Sequence, residues 1–187
     1  MSHLFRTDEN VDEAKLKKLG ADFVKSDRGG LITFHGPGQL VAYPILDLKQ
    51  FLSTPKSGKK AELIGMKWYI HNLEQVVIDT LKDRFELDAF RSPDTGVWVH
   101  QDKKICAMGV HSSDLVTCHG LALNCDNDLS WFNHIVPCGL HGKEMTSLSQ
   151  ELKKQITFQD VLFPFVKQFS ERFNCHVKIM ELEELQQ

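Results

Sequence analysis

Apolar residues recur every three or four positions between residues 61 and 83, and this is the clearest helical pattern along the chain. The residues that carry it are Leu63, Met66, Ile70, Leu73, Val77 and Leu81. A second helix is predicted over residues 157–173, because Thr157 to Asp160 resembles a capping box. Residues 8–19 predict a short, solvated helix that ends before a glycine.

Short runs of β-branched and aromatic residues separate these helical segments and predict strands. The runs lie at residues 21–24, 31–34, 39–43, 97–99, 104–110 and 121–124. Residues 97–99 and 104–110 flank a polar segment, which predicts a β-hairpin, and the alternating residues 175–180 predict a closing strand. Because strands and helices interleave, the pattern favours an α/β or α+β fold around one sheet.

The chain has 187 residues and a mass of 21.4 kDa, which suits a single globular domain over residues 1–187. Its 22 basic and 25 acidic side chains give a net charge of −3, so no nucleic-acid partner is expected. No run approaches the roughly 18 apolar residues of a membrane span, so no membrane partner is expected either. The five cysteines form no C-x-x-C pair, which disfavours a disulfide framework and a zinc ribbon. The N-terminus shows neither an export signal nor a transit peptide.

Two glycine-rich turns bracket one short predicted strand, with Arg28 and His35 at its opposite ends. The turns are Arg28-Gly29-Gly30 and His35-Gly36-Pro37-Gly38. One interpretation is that these glycines only shape the turns, and the other is that a ligand approaches main chain that no side chain shields. A phosphate loop is disfavoured, because the G-x-x-x-x-G-K-[ST] pattern is absent.

Cys138 differs from the other cysteines, since Pro137 precedes it and Gly139 follows it, which displays the sulfur on a turn. A free thiol has a pKa near ~8.5 and is mostly protonated at neutral pH, so a nucleophile here needs a neighbouring cation. The candidate cations are Arg28, His35, Lys104, His119 and Lys143. Lys104 begins a strand, so its stem is expected to be partly buried and its ammonium aimed inward.

The remaining cysteines are predicted to be inert, small hydrophobic residues. They are Cys106, Cys118, Cys125 and Cys175. A zinc site at His111, Cys118, His119 and Cys125 is an alternative, but the spacing fits no standard finger.

Four motifs in this order resemble the lipoyl(octanoyl) transferase family, which is related in fold to biotin and lipoate protein ligases. The motifs are RGGLITFHGPGQLVAYP at 28–44, KICAMGV at 104–110, HGLALN at 119–124 and NHIVPCGL at 133–140. The resemblance runs from about Leu19 to Glu151. It implies a ligase-like α/β catalytic domain with a central mixed sheet and flanking helices.

The same resemblance implies that an octanoyl group passes from acyl carrier protein through a thioester on Cys138 to a lysine of a lipoyl domain. Lys104 matches the lysine that lowers the pKa of this thiol, and glycine-turn N–H groups are expected to hold the oxyanion. The implied substrate-binding residues are Arg28, Gly29, Gly30, Leu31, Ile32, Thr33, Phe34, His35, Ala107, Met108, Gly109, Gly120, Leu121 and Ala122. The implied acceptors are glycine cleavage H protein and the E2 subunits of 2-oxoacid dehydrogenases. No cofactor is expected, and the implied location is the mitochondrion.

The sequence departs from the family pattern at three places. Leu31 and Phe34 stand where many members carry a polar residue and a tyrosine, and no arginine follows Gly109. The family's first strand-helix-strand portion is expected to be missing ahead of Leu4. Two other functions therefore stay open: a truncated, non-catalytic isoform that binds acyl carrier protein or lipoyl domains, and an ATP-dependent lipoate or biotin ligase.

Overall fold

A computed structural model describes residues 2–6, 13–25, 32–51, 64–135, 142–178 and 180. The strands are β1 Ser2–Arg6, β2 Ala21–Lys25, β3 Thr33–His35, β4 Gln39–Ala42, β5 Phe90–Arg91, β6 Val97–Val99, β7 Lys103–Ser113, β8 Val116–Asn124 and β9 Glu144–Met145. The α-helices are α1 Glu13–Lys18, α2 Met66–Phe85, α3 Leu148–Leu152 and α4 Phe158–Phe173. Two 3-10 helices span Leu48–Gln50 and Leu129–His134. None of the helices described is long and apolar enough to cross a membrane.

The larger sheet has the strand order β4-β8-β7-β6-β5, and β9 pairs with β7. Neighbouring strands of the main path are antiparallel, whereas β9 runs parallel to β7, so the sheet is mixed as predicted. The predicted hairpin is confirmed, because β6 pairs with β7 in the register Trp98↔Lys104 and Val99↔Lys103.

A second sheet, which the sequence pattern did not predict, has the strand order β2-β1-β3. Strand β1 pairs in parallel with β2 and antiparallel with β3. The glycine-rich motif at residues 28–44 therefore divides between two sheets, with β3 in the smaller one and β4 at the edge of the larger one.

Helices α2 and α4 pack against each other and contribute to the main core. Helix α2 buries Leu73, Val77 and Leu81, which follow the predicted spacing, but one turn earlier it buries Tyr69, whereas the predicted Ile70 is half-buried. The capping box of α4 is confirmed, since the Asp160 carboxylate accepts the backbone N–H of Thr157 at 2.8 Å.

The predicted closing strand at 175–180 is wrong for the residues described there, which form no strand. Helix α4 ends at Asn174 in the left-handed region, with φ 49°. Both backbone groups of Cys175 are used by this helix end: its N–H donates to the Ser170 carbonyl at 3.0 Å, and its carbonyl accepts the Ser170 hydroxyl. They are consequently not available for a strand ladder.

Candidate active site

Lys104 lies near the start of β7 and is buried, with only 2% of its surface exposed. Its Nζ donates a hydrogen bond to the Thr95 carbonyl at 2.9 Å and lies 4.8 Å from the centre of the Trp98 ring. A buried ammonium is costly unless nearby groups replace its water, and a carbonyl and an indole face supply part of that replacement. The expectation of an inward-directed lysine is confirmed.

Gly96 provides the space through which the Lys104 stem passes. A Cβ at this glycine would lie 2.6 Å from the Cys106 carbonyl oxygen and 3.3 Å from Cε of Lys104. The N–H of Gly96 donates to Oε1 of the buried Glu74 at 3.0 Å, and Oε2 of Glu74 lies 3.2 Å from Nε of Arg91. Helix α2 thereby fixes the loop that holds the lysine.

Strands β7 and β8 bring two predicted substrate-binding segments together. The register pairs are Ala107↔Ala122, Met108↔Leu121 and Gly109↔Gly120. All six residues therefore lie in one short stretch of the larger sheet, a few positions along β7 from Lys104. The sequence motifs KICAMGV and HGLALN are the two halves of one strand pair.

Residue 120 must be a glycine, because a neighbouring strand lies too close to leave room for a side chain. A Cβ built on it would lie 2.0 Å from the carbonyl oxygen of Ala42 and 2.9 Å from Cδ of Pro44. The preceding residue, His119, is half-buried and has a φ of 58°, which is uncommon for a residue other than glycine. Its ring meets Tyr43 edge-on, with 6.0 Å between the ring centres.

The predicted residues of the first motif lie in and beside the smaller sheet. Ile32, Thr33 and Phe34 are buried, and His35 is half-buried. Phe34 stacks on Trp131 at 5.6 Å and meets Phe132 edge-on at 5.4 Å, so its ring belongs to a second apolar core.

The turn after β3 contains one of the glycines whose N–H groups were expected to hold the oxyanion. The N–H of Gly36 donates to Oε1 of Gln39 at 3.2 Å, so this glycine N–H is already used within the protein. Arg28, Gly29, Gly30, Leu31 and Cys138 lie outside the described residues.

Both described segments that flank residues 136–141 contact the site. On one side, Ile135 packs with the apolar cluster around Phe34. On the other side, Met145 of β9 pairs with Lys104, and the Thr146 N–H donates to the Lys104 carbonyl at 3.0 Å. The described residues on the two sides of this segment therefore contact the apolar cluster of the first motif and the strand of the buried lysine.

Lys143, another candidate cation, also lies near Trp98. Lys143 is exposed, with its Nζ 5.6 Å from the Trp98 ring centre and 3.3 Å from the Gln101 carbonyl that it donates to. Two ammonium groups thus lie against one indole. Sequence reasoning missed Trp98, although the hairpin register, which places it opposite Lys104, was the signal that would have identified it.

Two of the other cysteines behave as predicted. Burial raises the pKa of the Cys106 thiol even though the Lys104 ammonium acts in the opposite direction, and burial raises that of Cys125 to about 12. Cys118 and Cys175 are half-buried. All four residues of the zinc alternative are described, and among the described side chains no three His, Cys, Asp or Glu groups cluster as metal ligands would.

Residues 5–170 match the protein family described as the lipoyl protein ligase A/B catalytic domain. The zebrafish (Danio rerio) mitochondrial octanoyl-acyl-carrier-protein:protein N-octanoyltransferase is 51% identical over 165 residues, which cover 88% of this chain and 68% of that protein. The human protein of the same name is 43% identical over 88% of this chain and 67% of its own length. The chain thus spans about two thirds of the length of these relatives.

The fold resembles that of solved lipoate protein ligases. A structure of the bipartite lipoate protein ligase of Thermoplasma acidophilum has a TM-score of 0.71 at 16% identity, covering 98% of this chain and 73% of that one. At that identity the likeness concerns the fold, and it agrees with the ligase-like α/β domain expected from the motifs.

Proposed function

The chain belongs to the lipoyl protein ligase A/B catalytic-domain family and groups with its octanoyltransferases, and we propose that it moves an octanoyl group from acyl carrier protein to a lipoyl domain. The acceptor is the ε-amine of a lysine on glycine cleavage H protein or on an E2 subunit of a 2-oxoacid dehydrogenase. The relatives named mitochondrial support the mitochondrion as the location.

The observation that carries the proposal is the buried Lys104 ammonium, on a residue whose backbone pairs with β9, the strand that follows Cys138 in the chain. An ammonium about 4 Å from a thiolate stabilises it by about 4 kcal/mol at an effective dielectric constant of about 20, before the cost of desolvation. That is enough to hold a thiol as its anion near neutral pH, since each pKa unit corresponds to about 1.4 kcal/mol.

The proposed reaction has two acyl transfers. The Cys138 thiolate attacks the thioester carbonyl, and the carrier's phosphopantetheine sulfur leaves as a thiolate that takes up a proton. The acceptor amine then attacks the enzyme thioester, loses a proton and forms an amide, while Cys138 departs as a thiolate. Lys104 is the group proposed to keep Cys138 anionic and to relay the proton.

No cofactor is needed in this scheme. The first transfer exchanges one thioester for another and is nearly neutral, whereas the second forms an amide and is downhill. The activation that a ligase obtains from ATP is therefore already present in the thioester substrate.

The test is the intact mass of the protein after incubation with octanoyl-acyl carrier protein in the absence of nucleotide. We expect one octanoyl adduct that hydroxylamine removes, that is retained in Cys118→Ser and that is lost in Cys138→Ser. Circular dichroism of each variant establishes that it is folded. A folded wild type that binds acyl carrier protein without an adduct would favour the non-catalytic isoform, and octanoylation of a lipoyl domain that requires ATP would favour the ligase.

A further inference from the structure

A chain of buried side-chain amides joins the two sheets. Gln39 at the start of β4 is 9% exposed, and its strand neighbour Asn124 at the end of β8 is 1% exposed. Nε2 of Gln39 donates to Oδ1 of Asn124 at 2.8 Å and to the Phe34 carbonyl at 3.3 Å. A backbone carbonyl can only accept, so these partners identify the nitrogen of the Gln39 amide.

The other atom of that amide faces His35. Oε1 of Gln39 accepts the N–H of Gly36 at 3.2 Å and lies 3.1 Å from Nδ1 of His35. An amide oxygen carries no hydrogen, so the contact is a hydrogen bond only if Nδ1 of His35 carries one. In the neutral ring, Nε2 is then the nitrogen with the lone pair.

The same network extends to the candidate lysine. Nδ2 of Asn124 donates to the Thr146 carbonyl at 2.9 Å, which fixes the Asn124 amide with its oxygen toward Gln39. The Thr146 N–H donates to the Lys104 carbonyl at 3.0 Å. Consecutive hydrogen bonds and the backbone of Thr146 therefore connect the His35 ring to the backbone of Lys104.

We propose that Gln39 is a positioning residue that holds His35 in its Nδ1–H tautomer, with Nε2 as the ring's acceptor, within the hydrogen-bond network that reaches the Lys104 backbone. The role of His35 in the reaction rests on the proposed acyl transfer. In that reaction, the fixed Nε2 accepts a hydrogen bond from a group that carries a proton, either a thiol or an amine. The tautomer is argued from the contact between Nδ1 of His35 and Oε1 of Gln39, and it does not require the acyl transfer.

The test begins with the tautomer in the 187-residue chain. Nitrogen-15 histidine spectra distinguish a ring nitrogen that carries hydrogen from one that carries a lone pair, and His35→Asn identifies the His35 signals by their loss. In the neutral ring we expect hydrogen on Nδ1. In Gln39→Met, which has a similar length but no hydrogen-bonding amide, we expect the hydrogen to redistribute toward Nε2. Gln50→Met, at an exposed glutamine that donates to Asp47, is the matched control and should leave the spectrum unchanged.

Transfer assays supply the second readout. We expect Gln39→Met to lower kcat for octanoyl transfer roughly 10- to 100-fold, because a positioned acid or base contributes about 10²–10⁴-fold and loses part of this when it is no longer held in place. Hydrogen on Nε2 in the wild type would overturn the proposal, as would a Gln39→Met variant with an unchanged tautomer. A changed tautomer with kcat within twofold of wild type would remove the functional role. If the wild type transfers no octanoyl group, the proposed function fails, while the spectra still decide whether Gln39 fixes the tautomer.

Discussion

Replacing Gly120 with alanine tests whether the β4–β8 contact, rather than open space for a ligand, explains this glycine. The added Cβ would lie 2.0 Å from the carbonyl oxygen of Ala42, which belongs to backbone. To restore an ordinary contact, β4 and β8 must separate by about 1 Å at this point. That displacement strains the neighbouring register pair Ala42↔Leu121.

The expected cost follows from two opposing effects. Overpacking that moves backbone costs typically 1–3 kcal/mol, and a weakened ladder hydrogen bond adds about 1 kcal/mol. The alanine also restricts the unfolded chain, which offsets about 0.5–1 kcal/mol. The net loss is therefore about 1–3.5 kcal/mol in the free energy of unfolding, and its midpoint of about 2 kcal/mol corresponds to a fall in Tm of roughly 4–8 °C for a chain of this size.

The assay is thermal and urea unfolding followed by circular dichroism. Gly65→Ala is the matched control, because nothing lies within 4 Å of its Cβ position and its φ is −112°. We expect the control to lose less than about 1 kcal/mol, as for a helix cap. If Gly120→Ala melts within about 2 °C of wild type, the Ala42 carbonyl does not occupy that space, and the reasoning is refuted.

Two further predictions concern ionisation. If Lys104 stabilises the Cys138 thiolate, Lys104→Met should slow alkylation of Cys138 at pH 7 about tenfold or more and shift its rate profile to higher pH. The control Lys103→Met should do neither. Peptide mass mapping measures the alkylation rate in both variants, and equal rates would exclude Lys104. Burial raises the pKa of Tyr69 to about 12, against an ordinary value near 10. The unfolded state therefore loses this proton at lower pH than the folded state does. The free energy of unfolding should consequently fall by up to about 3 kcal/mol as the pH rises from 10 to 12. Tyr69→Phe should flatten this fall in urea midpoints, with Tyr43→Phe at an exposed ring as the control, and parallel slopes would contradict the assignment.

Local patterns predicted the parts of the site that lie on single elements. The spacing in α2 follows from its buried face, and the inward Lys104 follows from its place at the start of a strand. The pairing of residues 107–109 with 120–122 was harder to predict, because the turn that fixes its register is formed by Asp114 and Leu115, which are left-handed but lack the glycine typical of such turns.

The second sheet and the amide network could not be predicted in this way. Gln39 and Asn124 are separated by 85 positions, and each looks like an ordinary polar residue at the end of a strand. Only the fold shows that both are buried and that their hydrogen-bonding groups are complementary. Periodicity reports which face of an element is apolar, but it carries no information about which distant polar groups meet.

The contrast between Cys106 and Cys138 shows what the proposed nucleophile needs besides a neighbouring lysine. Cys106 lies two positions from Lys104 on the same strand, and the ammonium lowers its pKa, yet full burial outweighs this and keeps the thiol protonated. Nearness to the lysine is therefore insufficient for a nucleophile, which must also be reached by a carrier arm and by the acceptor amine. Pro137 and Gly139 on either side of Cys138 suit a thiol displayed on a turn, whereas Cys106 is paired within the sheet to Leu123. Mass mapping of the octanoyl adduct should consequently place it on Cys138 and leave Cys106 unmodified, and an adduct on Cys106 would contradict this account.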